Sequence, residues 1–381
     1  MTTSPADVPL LSLCMIVRNE SAVLARCLDS VRGLADEMVV VDTGSTDGTQ
    51  EIARGHGARL IQAEWRDDFS WARNLALEAA RGRWILVLDA DEYLLEKDRR
   101  AIATLVRQQP VPPTRAFNLK LRSMAEGGHT GMSAYIVRLF PNLPGARYES
   151  PIHEQIAPSL HRARLALENA DIEFIHTGYA DPAQNRRKQQ RNRAILEKQI
   201  AGGQGVTPLT YFLYAGCFLD LGEVEPALAW YGRALAEPGV SPDVAEGAHV
   251  RQVSCLVQLQ RWSEVVAATS APYDRAWHPE LLLARGQAEV ALGHLAEACV
   301  WYERVFACQD LPRIPACNLG DLKIEALKYL GEYWYTNGAG ARAVALLRAA
   351  KALHEQGTDF TAESLAECYR QTPAPQASGA H

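Results

Sequence analysis

Short apolar runs alternate with amphipathic stretches along the N-terminal part of the chain. The apolar runs predict strands at 10–17, 38–41, 59–62 and 84–88, and apolar positions at helical spacing predict helices at 22–31, 49–56 and 71–81. Repeated βα units of this kind build a mostly parallel sheet with helices on both faces. The sequence therefore predicts an α/β domain, and looser strands at 116–122 and 135–140 complete its sheet.

The pattern changes near Asn185. From there strand signals disappear, and Ala, Leu, Trp and Tyr recur at helical spacing with Gly or Pro breaks to about Leu353. Three stretches, 214–235, 283–305 and 329–347, resemble a tetratricopeptide repeat of ~34 residues, and 256–267 resembles it more weakly. Such helix pairs bury their faces against neighbours, so about four of them predict an all-α stack with a groove.

Composition narrows the classes of partner. The formal charge of −6 over 381 residues gives no electrostatic footprint for a nucleic-acid binder. The local exception is the basic run Arg186-Arg187-Lys188 with Arg191 and Arg193, which is either a solvated helix face or a contact for an anionic ligand.

The cysteines and the apolar runs bear on the compartment. The eight cysteines form no C-x-x-C pair and are interpreted as buried thiols. The sequence has neither a secretory signal pattern nor the ~20 apolar residues of a membrane span. We therefore predict a cytoplasmic protein without a membrane span.

Two strand ends carry unusually polar residues. In open α/β sheets ligands bind beyond the carboxyl ends of the strands. Asp89 and Asp91 follow the strand at 84–88, and their spacing suits one hard cation, Mg²⁺ or Mn²⁺, beside a diphosphate. Such a cation would neutralise charge on a departing nucleotide diphosphate.

The second polar strand end is the turn at 42–49. It offers carboxylates, hydroxyls and glycines, among them Asp42 and Gly44, in an arrangement that suits a nucleoside. Asp42 is placed to accept a hydrogen bond from a base or ribose. Asp47 is placed to cap the following helix, and the alternative for the whole segment is a capped turn without a ligand.

These motifs, taken in order, resemble family 2 of the inverting glycosyltransferases. The residues that carry the resemblance are 12–20 (SLCMIVRNE), 41–49 (VDTGSTDGT), 72–74 (ARN) and 88–92 (LDADE). The match covers roughly residues 10–180 and is most similar to bacterial members that join a GT-A domain to tetratricopeptide repeats, including peptide S-glycosyltransferases.

The resemblance implies a nucleotide-sugar donor, most simply a UDP-sugar, with Asp42 near the base and Asp91 on the metal. Arg73 is implied near the phosphates or the sugar, whereas a packing role is equally open for Asn74. The nucleotide-sugar-binding residues are predicted to be Asn19, Glu20, Asp42, Gly44, Arg73, Asp89 and Ala90.

Residues 138–140 (RLF) and 151–154 (PIHE) resemble the acceptor-side segment of the same group. Displacement at the anomeric carbon needs a base for the acceptor proton, and Glu154 is preferred with His153 as the alternative. Glu154 could instead orient Arg138 or a loop. The resemblance makes His176 a third metal ligand beside Asp91 and Asp89, although a histidine in an apolar strand is also typical of a core.

Trp65 and Trp71, which flank residues 67–70, could line a sugar pocket or pack a loop.

The predicted architecture is a flexible N-terminus (1–9), a Rossmann-like GT-A domain (10–184), a TPR-like helical domain (185–355) and a C-terminal segment with a disordered tail (356–381). The predicted function is a metal-dependent inverting glycosyltransferase, whose repeats bind a peptide or protein acceptor or form a homodimer. The alternatives are a catalytically inactive interaction protein and a sugar-phosphate nucleotidyltransferase. The second normally has a Gly-rich basic loop that 18–21 lacks.

Overall fold

The computed structural model describes residues 8–124, 130–177, 182–203, 205–270, 278–308, 317–356 and 359–372. Most of the predicted flexible N-terminus and the last part of the predicted disordered tail lie outside these residues. The chain divides into two compact units, Met1–Leu196 and Glu197–His381. This division falls C-terminal to the predicted boundary at 184/185.

The described part of the first unit contains one sheet of eight strands. In chain order they are β1 (Leu11–Val17), β2 (Glu37–Asp42), β3 (Arg59–Gln62), β4 (Trp84–Val87), β5 (Glu92–Leu94), β6 (Arg115–Met124), β7 (Thr130–Pro141) and β8 (Ala166–His176). Their order across the sheet is β3-β2-β1-β4-β7-β6-β8-β5. The first four strands in that order run parallel, whereas β7 pairs antiparallel with both β4 and β6, so the sheet is mixed.

Helices cover both faces of the sheet. They are α1 (Leu24–Ser30), α2 (Thr49–Gly55), α3 (Phe69–Ala79), α4 (Glu96–Gln108) and α5 (Ala157–Arg162). Alternate residues of β1 point to opposite faces: Leu13 and Met15 join a core with α1 and α4, and Cys14 joins a second core with α3 and α5. The predicted α/β class is confirmed.

The parallel strands bring their carboxyl ends to one edge of the sheet. Strand β1 pairs in register with β2 on one side and β4 on the other. Asp42 therefore lies at the same edge as the residues that follow β4, which is the edge where ligands bind in open α/β sheets.

The described residues after β8 are helical wherever they form regular structure. Their helices are α6 (Pro182–Gly202), α7 (Pro208–Asp220), α8 (Val224–Ala236), α9 (Pro242–Gln258), α10 (Trp262–Ala268), α11 (Pro279–Ala291), α12 (Leu295–Val305), α13 (Leu319–Thr336), α14 (Gly340–Gln356) and α15 (Ala362–Gln371). The predicted repeats correspond to the packed pairs α7–α8, α11–α12 and α13–α14, and the weaker one to α9–α10. The predicted all-α class of this region is confirmed. No helix in the described part of the chain combines the length and apolar character that a membrane crossing requires.

Candidate active site

A cavity of about 420 Å³ opens at the carboxyl edge of the parallel strands. Residues that follow β1, β2 and β4 line it, together with 152–154, with His176 at the end of β8 and with side chains of α6. Its volume lies in the range of small-molecule sites. Both predicted polar strand ends contribute to it, through Thr43 and Asp91.

Asp89 lies between two arginines. Its Oδ1 accepts a hydrogen bond from Arg73 at 2.8 Å, and its Oδ2 accepts one from Arg138 at 3.0 Å. Burial opposes ionisation, but the charges of these two arginines outweigh it and hold the pKa of Asp89 well below its usual range. Asp89 is therefore ionised at neutral pH, and each of its carboxylate oxygens accepts a hydrogen bond from an arginine.

Asp91 faces His176. Its Oδ2 lies 3.1 Å from His176 Nε2, and this hydrogen bond raises the pKa of the imidazole. The pairing of β5 with β8 sets Glu92 opposite His176, and Thr177 N–H donates to the Asp91 carbonyl at 3.0 Å. The backbone thus holds the two side chains together although they are far apart in sequence.

This pair fits a divalent cation. A carboxylate and an imidazole are ligand types that Mg²⁺ and Mn²⁺ accept, and both side chains line the cavity. Asp89 does not complete a close cluster with them. Among the described residues, the one set of three potential metal-ligating side chains whose ligand atoms all lie within 4.8 Å of one another is His278, Glu280 and Cys317 of the second unit. There His278 Nδ1 accepts the Glu280 N–H as the cap of α11.

Glu154 shares Arg73 with Asp89. Its Oε1 accepts a hydrogen bond from Arg73 Nε at 2.6 Å, and the side chain is 14% exposed. Arg138, which the sequence left as a possible partner of Glu154, instead binds Asp89 and Glu92. Next to Glu154, burial lowers the pKa of His153, whose backbone has a φ of +51°.

The segment that carries Glu154 is attached to α3. Asn74 Nδ2 donates to the Tyr148 carbonyl at 3.0 Å, and Tyr148 N–H donates to Asn74 Oδ1 at 2.8 Å. Phe69 N–H also donates to the Pro151 carbonyl at 2.9 Å. Asn74 therefore fixes the loop that leads from Tyr148 to Glu154.

Glu20 also lines the cavity. Its N–H donates to Thr49 Oγ1 at 2.8 Å. Burial, with the charge of Asp91 as the next cause, raises the pKa of Glu20 to about 7.

The other residues predicted to bind nucleotide mainly shape the turn after β2. Asp42 accepts from Ser45 N–H at 3.2 Å and from Gln50 Nε2 at 2.6 Å, and Asn19 Oδ1 accepts from Thr46 N–H at 2.8 Å. Gly44 has a φ of +106°, which favours glycine. None of Asn19, Asp42 and Gly44 is among the residues that line the cavity, whereas Glu20, Arg73, Asp89 and Ala90 are.

Some lining residues had little or no support from sequence patterns alone. Lys188 and Arg191 of α6 line the cavity, so part of the basic run faces the site. Trp65 also lines it, whereas Trp71 packs under the guanidinium of Arg66 at 4.5 Å. The helical spacing of 188, 191 and 192 was the sequence feature that could have indicated that these side chains share one face of α6.

Comparison with known proteins relates part of the first unit to a family. Residues 12–115 match the model described as Glycosyl transferase family 2. A TPR repeat-containing protein of Synechococcus elongatus is 38% identical over 250 residues, which cover 63% of this chain and 60% of that protein. The SPbeta prophage-derived glycosyltransferase SunS of Bacillus subtilis is 27% identical over 200 residues, which cover 51% of this chain and 46% of that protein.

Among solved structures, S. aureus TarS has a TM-score of 0.36 at 12% identity, covering 92% of this chain and 56% of that chain. The chain spans about half of the length of SunS and 60% of the length of the Synechococcus protein. The family match and the mixed α/β sheet bear out the predicted GT-A class. Residues 12–115 thus match glycosyl transferase family 2, and a TPR-like helical region follows the sheet.

Proposed function

We propose that this protein is a metal-dependent inverting glycosyltransferase that moves a sugar from a nucleotide-sugar donor, a UDP-sugar in the first instance, to a peptide or protein side chain. The observation that carries the proposal is the cavity in which Asp89, Asp91 and Glu154 converge at the carboxyl edge of the parallel strands. The family 2 match supports the reaction class.

Asp91 and His176 would hold the cation, Mn²⁺ or Mg²⁺, because their oxygen and nitrogen ligands suit such ions. When bound, the cation supplies positive charge to the departing nucleoside diphosphate. Asp89, neutralised by Arg73 and Arg138, is assigned to the sugar or ribose hydroxyls of the donor.

Glu154 is the proposed base. Arg73 engages Oε1, and in the described part of the chain Oε2 makes no hydrogen bond, so it is open to an acceptor proton. As the acceptor heteroatom bonds to the anomeric carbon, its proton passes to Glu154 and the bond from that carbon to the diphosphate oxygen breaks. Attack opposite the leaving group inverts the anomeric centre.

The helical region is assigned to acceptor binding. Stacked helix pairs present extended surfaces that suit a polypeptide, and α7–α14 form four such pairs. The same surface would serve a second copy of the chain, as the predicted homodimer requires.

Hydrolysis of UDP-, GDP- and dTDP-sugars, followed with and without Mn²⁺, tests this function. We expect slow release of nucleoside diphosphate from one donor, stimulated by Mn²⁺ and accelerated by a peptide acceptor. If no donor is hydrolysed and none stabilises the protein thermally, the proposed function is wrong.

A further inference from the structure

The basic helix α6 directs one of its faces into the candidate active site. Lys188, Arg191 and Asn192 line the cavity, and their spacing places them on one side of a helix. Ile195, one turn after Arg191, is buried on the same side. This face therefore borders the cavity and is buried at Ile195, while the side chains of Lys188 and Arg191 remain exposed to solvent.

The two cations of this face lie near different parts of the site. The Arg191 guanidinium lies 4.8 Å from the centre of the Phe69 ring, and Phe69 N–H binds Pro151 in the loop that leads to Glu154. Lys188 lies close enough to Glu20 for its positive charge to lower the pKa of Glu20, against the effect of burial, which raises that pKa. One cation is thus near the proposed base and the other near the end of β1.

The charges that line the cavity balance only because of α6. Four carboxyl groups line it, Glu20, Asp89, Asp91 and Glu154, and so do four basic side chains, Arg18, Arg73, Lys188 and Arg191, and their charges cancel when Glu20 is ionised. A bound divalent cation would leave a net positive charge that matches a sugar nucleoside diphosphate, with one negative charge on each phosphate. Without the two cations of α6, the same donor would meet a cavity with no net charge.

We propose that Lys188 and Arg191 bind the diphosphate of the donor and share its negative charge with the divalent cation. This inference rests on the proposed function, because it names how that function's substrate is held. A guanidinium and an ammonium at a partly enclosed site form charge-assisted hydrogen bonds to phosphate that are stronger than neutral ones. The same contacts would stabilise the departing nucleoside diphosphate.

The helix provides its own control. Arg186 and Arg187 lie on α6 beside Lys188, are exposed, and are not among the residues that line the cavity. Replacing them by Gln removes the same amount of charge from the same helix. A general effect of net charge would therefore appear equally in both double variants.

Calorimetric titration of the full chain with UDP and GDP in Mn²⁺, and with uridine and guanosine, tests the inference. For K188Q/R191Q we expect the Kd of the bound nucleoside diphosphate to rise at least ten-fold, with the weak affinity for its nucleoside unchanged. R186Q/R187Q should stay within two-fold of wild type. K188R/R191K, which keeps both charges, should stay within about three-fold.

Each other outcome is decisive. Absence of diphosphate binding by the wild type would overturn the proposed function itself. Binding by wild type and K188Q/R191Q with equal affinity would overturn only the role of α6. An equal loss for nucleoside and diphosphate, or an equal loss in K188R/R191K, would show that α6 acts by packing. If K188Q/R191Q loses its circular dichroism, K188Q alone, at an exposed side chain, gives the same test with a threshold of three-fold.

Discussion

Arg73 connects the two carboxylates on which the proposed chemistry depends. Its Nη2 binds Asp89 and its Nε binds Glu154, while its guanidinium lies 5.5 Å from the centre of the Tyr148 ring. The side chain is only 10% exposed. Arg73 therefore fixes the distance between Asp89 and the proposed base Glu154, and its predicted contact with the phosphates or the sugar stays a prediction.

Replacement of Glu154 by Gln tests the base. The amide keeps the size of the side chain but cannot take a proton, so we expect kcat to fall about 10²- to 10⁴-fold. UDP affinity should change little, because Glu154 is assigned to the acceptor proton and not to the diphosphate. Steady-state kinetics and calorimetry on the same preparation measure both quantities. Glu149→Gln, at a residue that pairs with Arg162 and is 41% exposed, is the control and should keep wild-type kcat.

At the residue scale, sequence motifs identified most of the charged groups that line the cavity but not their partners. Asp89 and Arg138 are 49 residues apart, and they meet because β7 pairs antiparallel with β4. No local pattern encodes that pairing. Asp42 illustrates the opposite case, since its contacts with Ser45 and Gln50 are local. Asn19 reaches Thr46 across 27 residues, and the binding roles of Asp42 and Asn19 stay predictions.

Helix α3 is attached through Asn74 to the loop that leads from Tyr148 to Glu154. In Asn74→Ala the N–H and carbonyl of Tyr148 lose their partners, and we expect a loss of roughly 2 kcal/mol in the free energy of unfolding. Calorimetry should show a lower Tm, and kcat should fall because the loop carries Glu154. Asn118→Ala, at an exposed side-chain pair with Asn169, should leave both unchanged. An unchanged Tm for Asn74→Ala would contradict the attachment.

The junction of β1, β2 and β4 predicts how stability depends on pH. Glu37 is buried, which opposes ionisation, but hydrogen bonds from Ser12 at 2.6 Å and Arg81 at 2.8 Å lower its pKa below the ordinary 4.5. A lowered pKa stabilises the folded state above the unfolded-state value and loses that effect as the pH falls through the folded-state value.

We therefore expect Glu37→Gln to be less stable than wild type by about 2 kcal/mol at pH 7. The difference should shrink as the pH falls below about 4.5 toward the lowered folded-state value. Urea unfolding between pH 3 and pH 7 measures it. Glu168→Gln, at an exposed pair with Arg115, should show almost no difference at any pH. A gap for Glu37→Gln that widens toward low pH would contradict the assignment.

The pair α11–α12 packs too closely for any side chain at Gly286. A Cβ there would lie 2.6 Å from Tyr302 Cε1, and Tyr302 is buried and stacked on Tyr329 at 4.7 Å. We expect Gly286→Ala to destabilise the helical region by about 1–3 kcal/mol despite the better helix propensity of Ala. Thermal unfolding followed by circular dichroism measures this. Gly232→Ala, where the nearest atom is Gln252 Nε2 at 3.5 Å, should be neutral or stabilising, and equal effects at both glycines would refute the argument.

The elements that sequence patterns missed depend on distant partners. The predicted strands at 10–17, 38–41, 59–62 and 84–88 match β1 to β4 because each is a short apolar run. Strand β8 is exposed or half-buried over its first six residues and buried from Ile172 to Ile175, so no alternation marks it. It pairs with β6, about fifty residues earlier, and with the still earlier β5, and local propensity does not register such distant partners.

At the scale of the whole molecule, the change from sheet to helix was visible in composition and periodicity. The family match covers residues 12–115, whereas the sheet continues to His176. Glu154, His176 and α6 therefore lie beyond the matched segment. The proposed roles of Glu154 and His176 depend on motif resemblance together with the geometry of the cavity, and that of α6 on the geometry of the cavity and its basic residues.

The proposed function requires that a nucleotide and a divalent cation share the cavity through Asp91. Titration of UDP into wild type and Asp91→Asn, each with and without Mn²⁺, tests this requirement. We expect Mn²⁺ to strengthen UDP binding by wild type at least ten-fold and to have no such effect on Asp91→Asn, whose circular dichroism stays that of wild type. Equal strengthening by Mn²⁺ in both proteins, or none in wild type, would contradict the proposed function.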